Sequence, residues 1–595
     1  MPGDSLRDPL LRQDYLLLAV FCAVLFGLSL VGGRPLSRHE GVLPQSSREM
    51  LADHDFIVPK SGGRPWLESP PLPQWITVGV ASVFGRCDRE WIVRIAPAAM
   101  GTIVVLLVGW MAAGWYGRSI GLLSALVTAT LSELTRYAWL AEDEIFLCAI
   151  ITIAMALFVR LEFFGGLRAA DESRSFFGKR PWGMFWFFVA LGATNLAKGV
   201  VFGTVITAAP IGAYLILNRD WLRLRAYCWS WGWLAFAVTA AAWPLAVMQR
   251  YPDAPQVWFY DQLGRVSGDY TAINQPAWYY LTHLPEILAP WILAVPFALA
   301  ITWREAFMVR RSPARFLWCW ALVMPLVLSI PGGKHHHYLL HGVAPWGVLV
   351  ALALVWLRAK IMAWPEWTRN PLGAIPALGL PGAIAFLIAA HKLGWPLWSA
   401  IFVIPIWLTL CVAFSWGLWQ STPRVAAGTL IAAVALGYMA GHVVAGKYFD
   451  RYRDDTRFLK QVAQTVPADK WLFVNAGMGQ LEAFHTLFYL DERTRSLHNL
   501  SYLIDDRIQA DEVYVVTYVR DEPVLAMFGS AEQVLASSGT WRDGVLDERL
   551  TLYRLRFHQR LAREKATERI SPMQAMNYAV GPFLTALPEP NTLRR

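Results

Sequence analysis

Ionisable side chains are sparse along this sequence, and several of them fall where apolar runs begin or end. His39-Glu40 follows the first run, and Glu68 stands within Gly63-Arg64-Pro65-Trp66-Leu67-Glu68-Ser69-Pro70-Pro71. Glu142-Asp143-Glu144 opens a long apolar stretch, Lys198-Gly199 separates two others, and Lys334 precedes His335-His336-His337-Tyr338. Carboxylates and histidines can take a proton from an attacking group. A lysine beside a low-dielectric boundary can stabilise a departing anion and suits phosphate as a point charge. Each group also has a plain structural reading: Glu40 as a solvated loop acid, Glu142–Glu144 as a solvated helix end, Lys198 as a helix C-cap. Three consecutive histidines cannot converge on one point of a helix, although a loop can present two. A divalent metal is therefore left open, with Glu68 and His337 as the side chains that would meet it.

The elements that must position these groups belong to a membrane. Of 595 residues, 55% are hydrophobic and 16% charged, against roughly 25% charged in an ordinary soluble domain. Trp and Phe number 30 each and Tyr 20, and mean hydropathy is +0.36. A soluble globule cannot hide that much apolar surface, and a disordered chain has the opposite composition. The net charge of +9 does not point to nucleic acid, because Lys and Arg sit in short loops between apolar runs rather than on one patch. The six cysteines follow no metal or disulfide spacing.

Apolar runs centre on 14–32, 92–115, 119–135, 145–164, 183–197, 200–217, 228–248, 286–303, 316–331, 343–357, 374–391, 395–418 and 425–445. A bilayer core takes about 20 apolar residues per helix, so the expectation is a polytopic α-helical protein of about 13 transmembrane helices. The first run reads as a span rather than a cleavable signal peptide, since no small-residue cleavage site follows. An odd count puts the termini on opposite sides. With Arg7 and Arg12 inside, the inner loops hold Arg118, Arg168, Arg174, Lys179, Arg180, Arg219, Arg223, Arg225, Arg304, Arg310, Arg311, Arg315, Arg358, Lys360, Arg369 and Arg424, as the positive-inside rule requires. Three regions then face outward: 33–90, 249–285 and everything after about 446. Glu49–Ala52 in the first of these reads as a short interfacial helix. Residues 1–445 form the transmembrane domain with its first outer loop 33–90, and 446–565 a small C-terminal α/β extracytoplasmic domain. Strands are expected at Trp471–Asn475, Glu512–Val519 and Leu550–Phe557, helices at 479–490 and 522–537, and a tail at 566–595.

The first outer loop carries the most specific pattern: His39-Glu40-Gly41, then Arg48-Glu49-Met50-Leu51-Ala52, Asp55-Phe56-Ile57-Val58-Pro59, and Gly63-Arg64-Pro65-Trp66-Leu67-Glu68 running on to Gln74-Trp75. It resembles the first outer loop of lipid-linked sugar transferases, namely the aminoarabinose transferase and its protein O-mannosyltransferase relatives, which have the membrane glycosyltransferase C-type fold. The resemblance continues through Ala141-Glu142-Asp143-Glu144-Ile145, Lys198-Gly199, Asn274-Gln275-Pro276-Ala277-Trp278-Tyr279-Tyr280, Pro290-Trp291 and Lys334–Leu340, covering about 15–350. It implies a multi-pass enzyme of the inner or plasma membrane that takes a sugar from a polyprenyl phosphate. The sugar would pass to a lipid, glycan or protein acceptor at the outer face, as part of cell-envelope chemistry. Such a reaction releases a phosphate anion and removes a proton from the acceptor, so it wants cations and a base together.

Under that resemblance Glu40, His39, Glu142, Asp143 and Glu144 are the catalytic candidates, and Lys198, Lys334, Tyr338 and Arg265 the groups for the lipid phosphate. Glu40, Glu68 and Glu142–Glu144 are expected to face one outward cavity. Two positions depart from the family. Its loop usually opens Asp-Glu, with the Asp as the favoured catalytic carboxylate, whereas this chain has His39 before Glu40. Its Glu-Lys-Pro-Pro has become Glu68-Ser69-Pro70-Pro71, without the lysine expected on the phosphate. Either Glu40 takes the base role, or His39 does with another acid, or the activity is altered. The rival classes are a catalytically altered lipid-binding relative and a lipid or sugar transporter. A transporter calls for charged or broken spans at mid-bilayer in paired halves, whereas here the charges cluster at span ends.

Overall fold

The computed structural model describes residues 8–31, 34–167, 176–259, 275–364, 375–392, 398–419, 422–452, 455–504, 508, 510–537 and 549–558. Arg7, Arg168, Arg174, Arg265, Arg369, Asn274 and the tail from 566 lie outside the described residues. Contacts divide the chain into two units. The first comprises Met1–Gly33, Arg94–Pro255 and Asn274–Tyr448, the second Arg34–Val93, Gln256–Ile273 and Phe449–Arg595.

The first unit is helical among its described residues, and the thirteen apolar runs are mainly helical where they are described. Among the described residues seven helices are long and apolar enough to cross a membrane: Arg12–Val31, Glu90–Tyr116, Glu144–Phe163, Ser230–Arg250, Trp291–Met308, His336–Met362 and Arg424–Val443. Four more apolar helices are shorter: Arg118–Ala129, Phe202–Leu217, Pro313–Leu328 and Ile404–Trp416. The chain is a multi-pass membrane protein. The Glu144–Phe163 helix is the most enclosed, with every residue from Glu144 to Thr152 buried, as suits a helix that is apolar all round.

Two breaks in these helices matter for the charged groups. The run expected at 119–135 stops at Ala129 and restarts as a separate helix, Ser132–Trp139. Thr130 donates its hydroxyl to the Leu126 carbonyl at 2.8 Å and Thr135 to the Ala129 carbonyl at 2.9 Å, local bonds that compete with helix continuation. The Trp182–Val200 segment loses helical geometry at Lys198 and at Gly199, whose φ of 82° suits glycine. Thr204 closes the corner through the Asn195 side-chain oxygen, with its amide at 3.3 Å and its hydroxyl at 2.8 Å.

The second unit joins the first outer loop to the C-terminal segment. A short 3-10 turn, His39–Gly41, leads into the Val42–Asp53 helix, which is longer than the few residues expected at Glu49–Ala52. Strands β1 (Lys60–Ser61) and β2 (Arg64–Pro65) pair as a hairpin through Gly62 and Gly63, both at positive φ, the geometry a tight hairpin turn demands. The C-terminal sheet has the order β4-β3-β5-β7-β6, formed by β3 (Trp471–Asn475), β4 (Arg495–Leu497), β5 (Glu512–Tyr518), β6 (Gly529–Ala536) and β7 (Leu550–Phe557). β3 runs parallel to β4 and β5, while β7 is antiparallel to both β5 and β6. Both faces are covered. Tyr514 and Val516 of β5 pack with Phe458, Leu487 and Leu552, while Val513 and Val515 pack with Phe473, Leu525 and Tyr553.

The helix expected over 522–537 is a correction. Only Glu522–Ala526 is helical, and Gly529–Ala536 is edge strand β6. A register shift between Gln533 and Leu535 lets the adjacent residues Val534 and Leu535 both pack against one core cluster. A bulge of this kind breaks the two-residue period, and the result imitates helical spacing. Gly529 permits the pairing, since a Cβ there would lie 2.0 Å from the Arg556 carbonyl oxygen.

Candidate active site

In the first unit three of the singled-out regions meet at one carboxylate. Glu144 occupies the first turn of its helix, where an acid is favoured by the dipole, and its side chain is only 5% exposed. Its Oε1 receives the Lys198 ammonium in a close ion pair and the His337 Nε2 at 3.2 Å. Its Oε2 lies 3.3 Å from the Nε2 of His341, which is fully buried. Lys198 reaches this point because the chain leaves the helix at Lys198-Gly199, and its Nζ also lies 3.7 Å from Asp143. The Tyr338 ring sits 5.7 Å from that ammonium and 4.6 Å from the Phe202 ring. This is a mixed cluster of one cation, two acids and two imidazoles, built almost wholly from side chains. A carboxylate engaged this way neutralises a lysine until a stronger anion arrives, which is the behaviour a phosphate seat needs.

The three consecutive histidines separate as their spacing requires. His337 turns to Glu144, His336 Nε2 lies 3.4 Å from the exposed Arg136 guanidinium, and the His335 ring stacks 5.2 Å from that of His337. Arg136 also lies 3.9 Å from Glu286. Glu142 is half-buried and acts electrostatically on Tyr137. Lys334 is buried and donates to the carbonyls of Gln275 at 2.9 Å and Pro331 at 2.5 Å. It therefore ties two loops together, and burial pushes its ammonium below the ordinary lysine range. Among the described residues no three His, Cys, Asp or Glu side chains come together as a metal site. His337 faces Glu144, and Glu68 belongs to the second unit, where it is half-buried. The cysteines are all free thiols.

The first-loop motif has a different character. Glu40 is 1% exposed and accepts the Ser37 backbone N–H at 2.8 Å, while its own N–H points to the Ser37 hydroxyl at 3.4 Å, a reciprocal cap. His39 is exposed. Gly41 is needed because the Gln480–Tyr489 helix crosses here: a Cβ would lie 2.6 Å from the His485 backbone nitrogen. His485 is buried, donates Nε2–H to the Leu36 carbonyl at 3.0 Å, and burial holds its pKa below the usual value despite Asp455 and that bond.

Three further groups had no signal strong enough to single out. Arg38 pairs with Asp455 at 3.2 Å and Glu482 at 3.1 Å. Arg48 donates to the carbonyls of Leu487, Phe488 and Leu490 at 2.8–3.0 Å, finishing the C-terminus of that helix. Glu49 accepts the amides of Gly62 and Gly63 at 2.6 and 2.8 Å and so holds the hairpin. In the first unit the missed groups are His341 and the buried Glu133, whose Oε1 has no hydrogen-bond partner among the described residues.

The comparisons agree with this architecture. The structure superposes on ArnT from Cupriavidus metallidurans, solved bound to undecaprenyl phosphate, with a TM-score of 0.69, covering 90% of this chain and 97% of that one at 18% identity. The chain shares that protein's fold, the C-type glycosyltransferase fold. Residues 45–256 match the family described as dolichyl-phosphate-mannose-protein mannosyltransferase. In sequence the chain is 29% identical to the undecaprenyl phosphate-alpha-4-amino-4-deoxy-L-arabinose arabinosyl transferase of Aeromonas hydrophila over 56% of its length and 59% of the relative's. It is 25% identical to the enzyme of the same name from Erwinia tasmaniensis over 72% of its length and 76% of the relative's.

Proposed function

We propose that the protein is an integral-membrane glycosyltransferase of the inner or plasma membrane. It moves a sugar from a polyprenyl phosphate to a lipid, glycan or protein acceptor on the extracytoplasmic side. The observation that carries this reading is the meeting of Lys198, Glu144 and His337 where a buried apolar helix begins. Ionised groups in such a place are costly and usually mark a site. The names of the relatives supply the donor chemistry. The basic loops at Arg118, Lys179-Arg180, Arg219–Arg225, Arg304–Arg315 and Arg358–Lys360 support placing the second unit on the outer side.

In the transfer, an acceptor oxygen bonds to the anomeric carbon and the bond from that carbon to the phosphate oxygen breaks. Its electron pair leaves on the polyprenyl phosphate. Lys198 takes up the growing phosphate charge with Tyr338 beside it, and Lys334 holds the neighbouring loops. The acceptor proton goes to Asp143, the most exposed acid against Lys198 at 33%, or to Glu142 next to it. Glu40 and His39 of the first loop are the alternative bases.

Membranes carrying the full chain, given a panel of radiolabelled polyprenyl-phosphate sugars, test the reading. Label from one donor should pass into a lipid, glycan or protein fraction, and Glu40→Gln and Asp143→Asn should separate the two candidate bases. No transfer from any donor, with undecaprenyl phosphate still bound, would instead indicate a catalytically altered lipid-binding relative.

A further inference from the structure

We propose that His341 is a positioning residue of the transfer site, holding Glu144 so that Lys198 and His337 keep the orientation in which they meet the donor phosphate. The inference rests on the transferase reading above and concerns a residue that reading does not use. The two oxygens of Glu144 are divided between tasks: Oε1 engages Lys198 and His337, and Oε2 faces His341 Nε2 at 3.3 Å. Neither Oε2 nor the ring nitrogens of His341 have another hydrogen-bond partner among the described residues. At 3.3 Å and off the ideal axis this contact is loose, as hydrogen bonds at sites without ligand often are.

A buried imidazole with no partner is costly, so the pairing of two otherwise unsatisfied atoms is the economical reading of both. The end of a carboxylate side chain rotates in a broad, shallow well. Engaged through Oε1 alone, Glu144 could turn and carry Lys198 with it. Lys198 is otherwise held loosely, by Asp143 at 3.7 Å and the Tyr338 ring at 5.7 Å, and helix geometry fails at Lys198 and Gly199. His341 can act as the fixed point because its own segment is anchored. It lies four positions after His337 in the 3-10 helix His336–Gly342, and Cys148 donates its thiol to the neighbouring Leu340 carbonyl at 3.3 Å. The donor set therefore reads from a rigid histidine, through a buried acid, to a lysine at a chain break.

The test uses the full chain in lipid nanodiscs, with undecaprenyl phosphate as the probe and thermal unfolding measured alongside. Glutamine can place an amide N–H where the histidine Nε2 sits, asparagine cannot reach it, and phenylalanine fills the ring volume without a donor. His341→Phe and His341→Asn should weaken binding about tenfold, the scale of one hydrogen bond to a charged group, while His341→Gln stays within about twofold. If His341→Phe fails to fold, the contrast between Gln and Asn decides alone. In a Glu144→Gln background, His341→Asn should cost nothing further, since coupled residues are not additive.

A pure packing role predicts the reverse order, with Phe tolerated and Gln not. That order, equal affinity in all three variants, or full additivity with Glu144→Gln would each overturn the proposal. Lys198→Met is the reference. If it binds undecaprenyl phosphate like the parent, the transferase reading of this cluster fails. If it binds weakly while the His341 variants are unchanged, only the present inference fails.

Discussion

Two sets of charged groups, one in each unit, are matched in opposite ways. In the second unit the charged groups of the first loop meet backbone or a dedicated partner. Arg48 meets three carbonyls, Glu49 two amides, Glu40 the Ser37 amide, and Arg38 two carboxylates. In the first unit Glu144, Lys198, His337 and His341 face one another, with atoms of Glu144 and His341 left without a full hydrogen bond. Backbone groups cannot leave or change their charge, so charge matched to them is committed to structure. Side chains facing side chains can trade partners and protons, so they remain available to an incoming ligand. The difference separates two kinds of contact: Arg48 and Glu49 of the first loop fasten neighbouring segments of the second unit.

The largest effect that would sharpen this comparison comes from the first unit. Glu144→Gln keeps the shape but leaves Lys198 without its main counter-charge and His337 without its acceptor geometry. Sugar transfer should fall about 10²–10³-fold, the scale of losing one preorganised electrostatic group, with unfolding little changed. A variant that melts early and transfers normally once folded would place this cluster with the structural charges instead.

Much of the architecture was legible before any coordinates. The thirteen apolar runs are mainly helical where they are described because burial in lipid leaves so little freedom in sequence, and β3 and β7 read as strands from their β-branched and aromatic residues. Lys198, Glu144 and His337 were also singled out, since charge beside apolar runs is conspicuous. What the sequence hides is any contact whose partner is backbone. Nothing in the segment around Arg48 announces that it will finish a helix some 440 residues away. Likewise nothing around Glu40 distinguishes a cap from a base. β6 was misread because a bulge gave a strand the spacing of a helix. His341 was hidden because a histidine four places beyond three others looks redundant until the carboxylate between them is seen to have two ends.

A smaller effect tests the fastening role. Gly41→Ala would bring a Cβ within 2.6 Å of the His485 backbone nitrogen, where backbone cannot yield cheaply. It should destabilise the second unit by about 1–3 kcal/mol, as overpacking does. The expected sign is faster hydrogen exchange across Gln480–Tyr489 with exchange in Glu144–Phe163 unchanged. Unaltered exchange in both helices would mean that the two segments do not press together as described.

The smallest effect is one of pH. Burial holds His485 neutral in the fold, with its pKa below the ordinary value of about 6.5. Below that ordinary value the unfolded chain binds the extra proton and the fold does not, so stability is full above about 6.5 and declines as pH falls. Exchange across Gln480–Tyr489 should therefore quicken between pH 7 and 5.5, and His485→Gln should flatten that response. A parent protein whose exchange ratio to the variant stays constant across this range would remove His485 as the cause.

The central claim is that the Glu144–Lys198 cluster of the first unit is functional and the Arg48 contacts of the second are structural, and one paired measurement tests it most directly. Lys198→Met and Arg48→Ala, each in the full chain in nanodiscs, are compared for undecaprenyl phosphate affinity and for thermal unfolding. Lys198→Met should lose at least about tenfold in affinity with an unchanged unfolding midpoint. Arg48→Ala, which strips a charged donor from three carbonyls, should lose about 3 kcal/mol of stability in its unit and bind the lipid normally while folded. The reverse pattern, with Lys198→Met unfolding early and Arg48→Ala folded but unable to bind, would contradict the account.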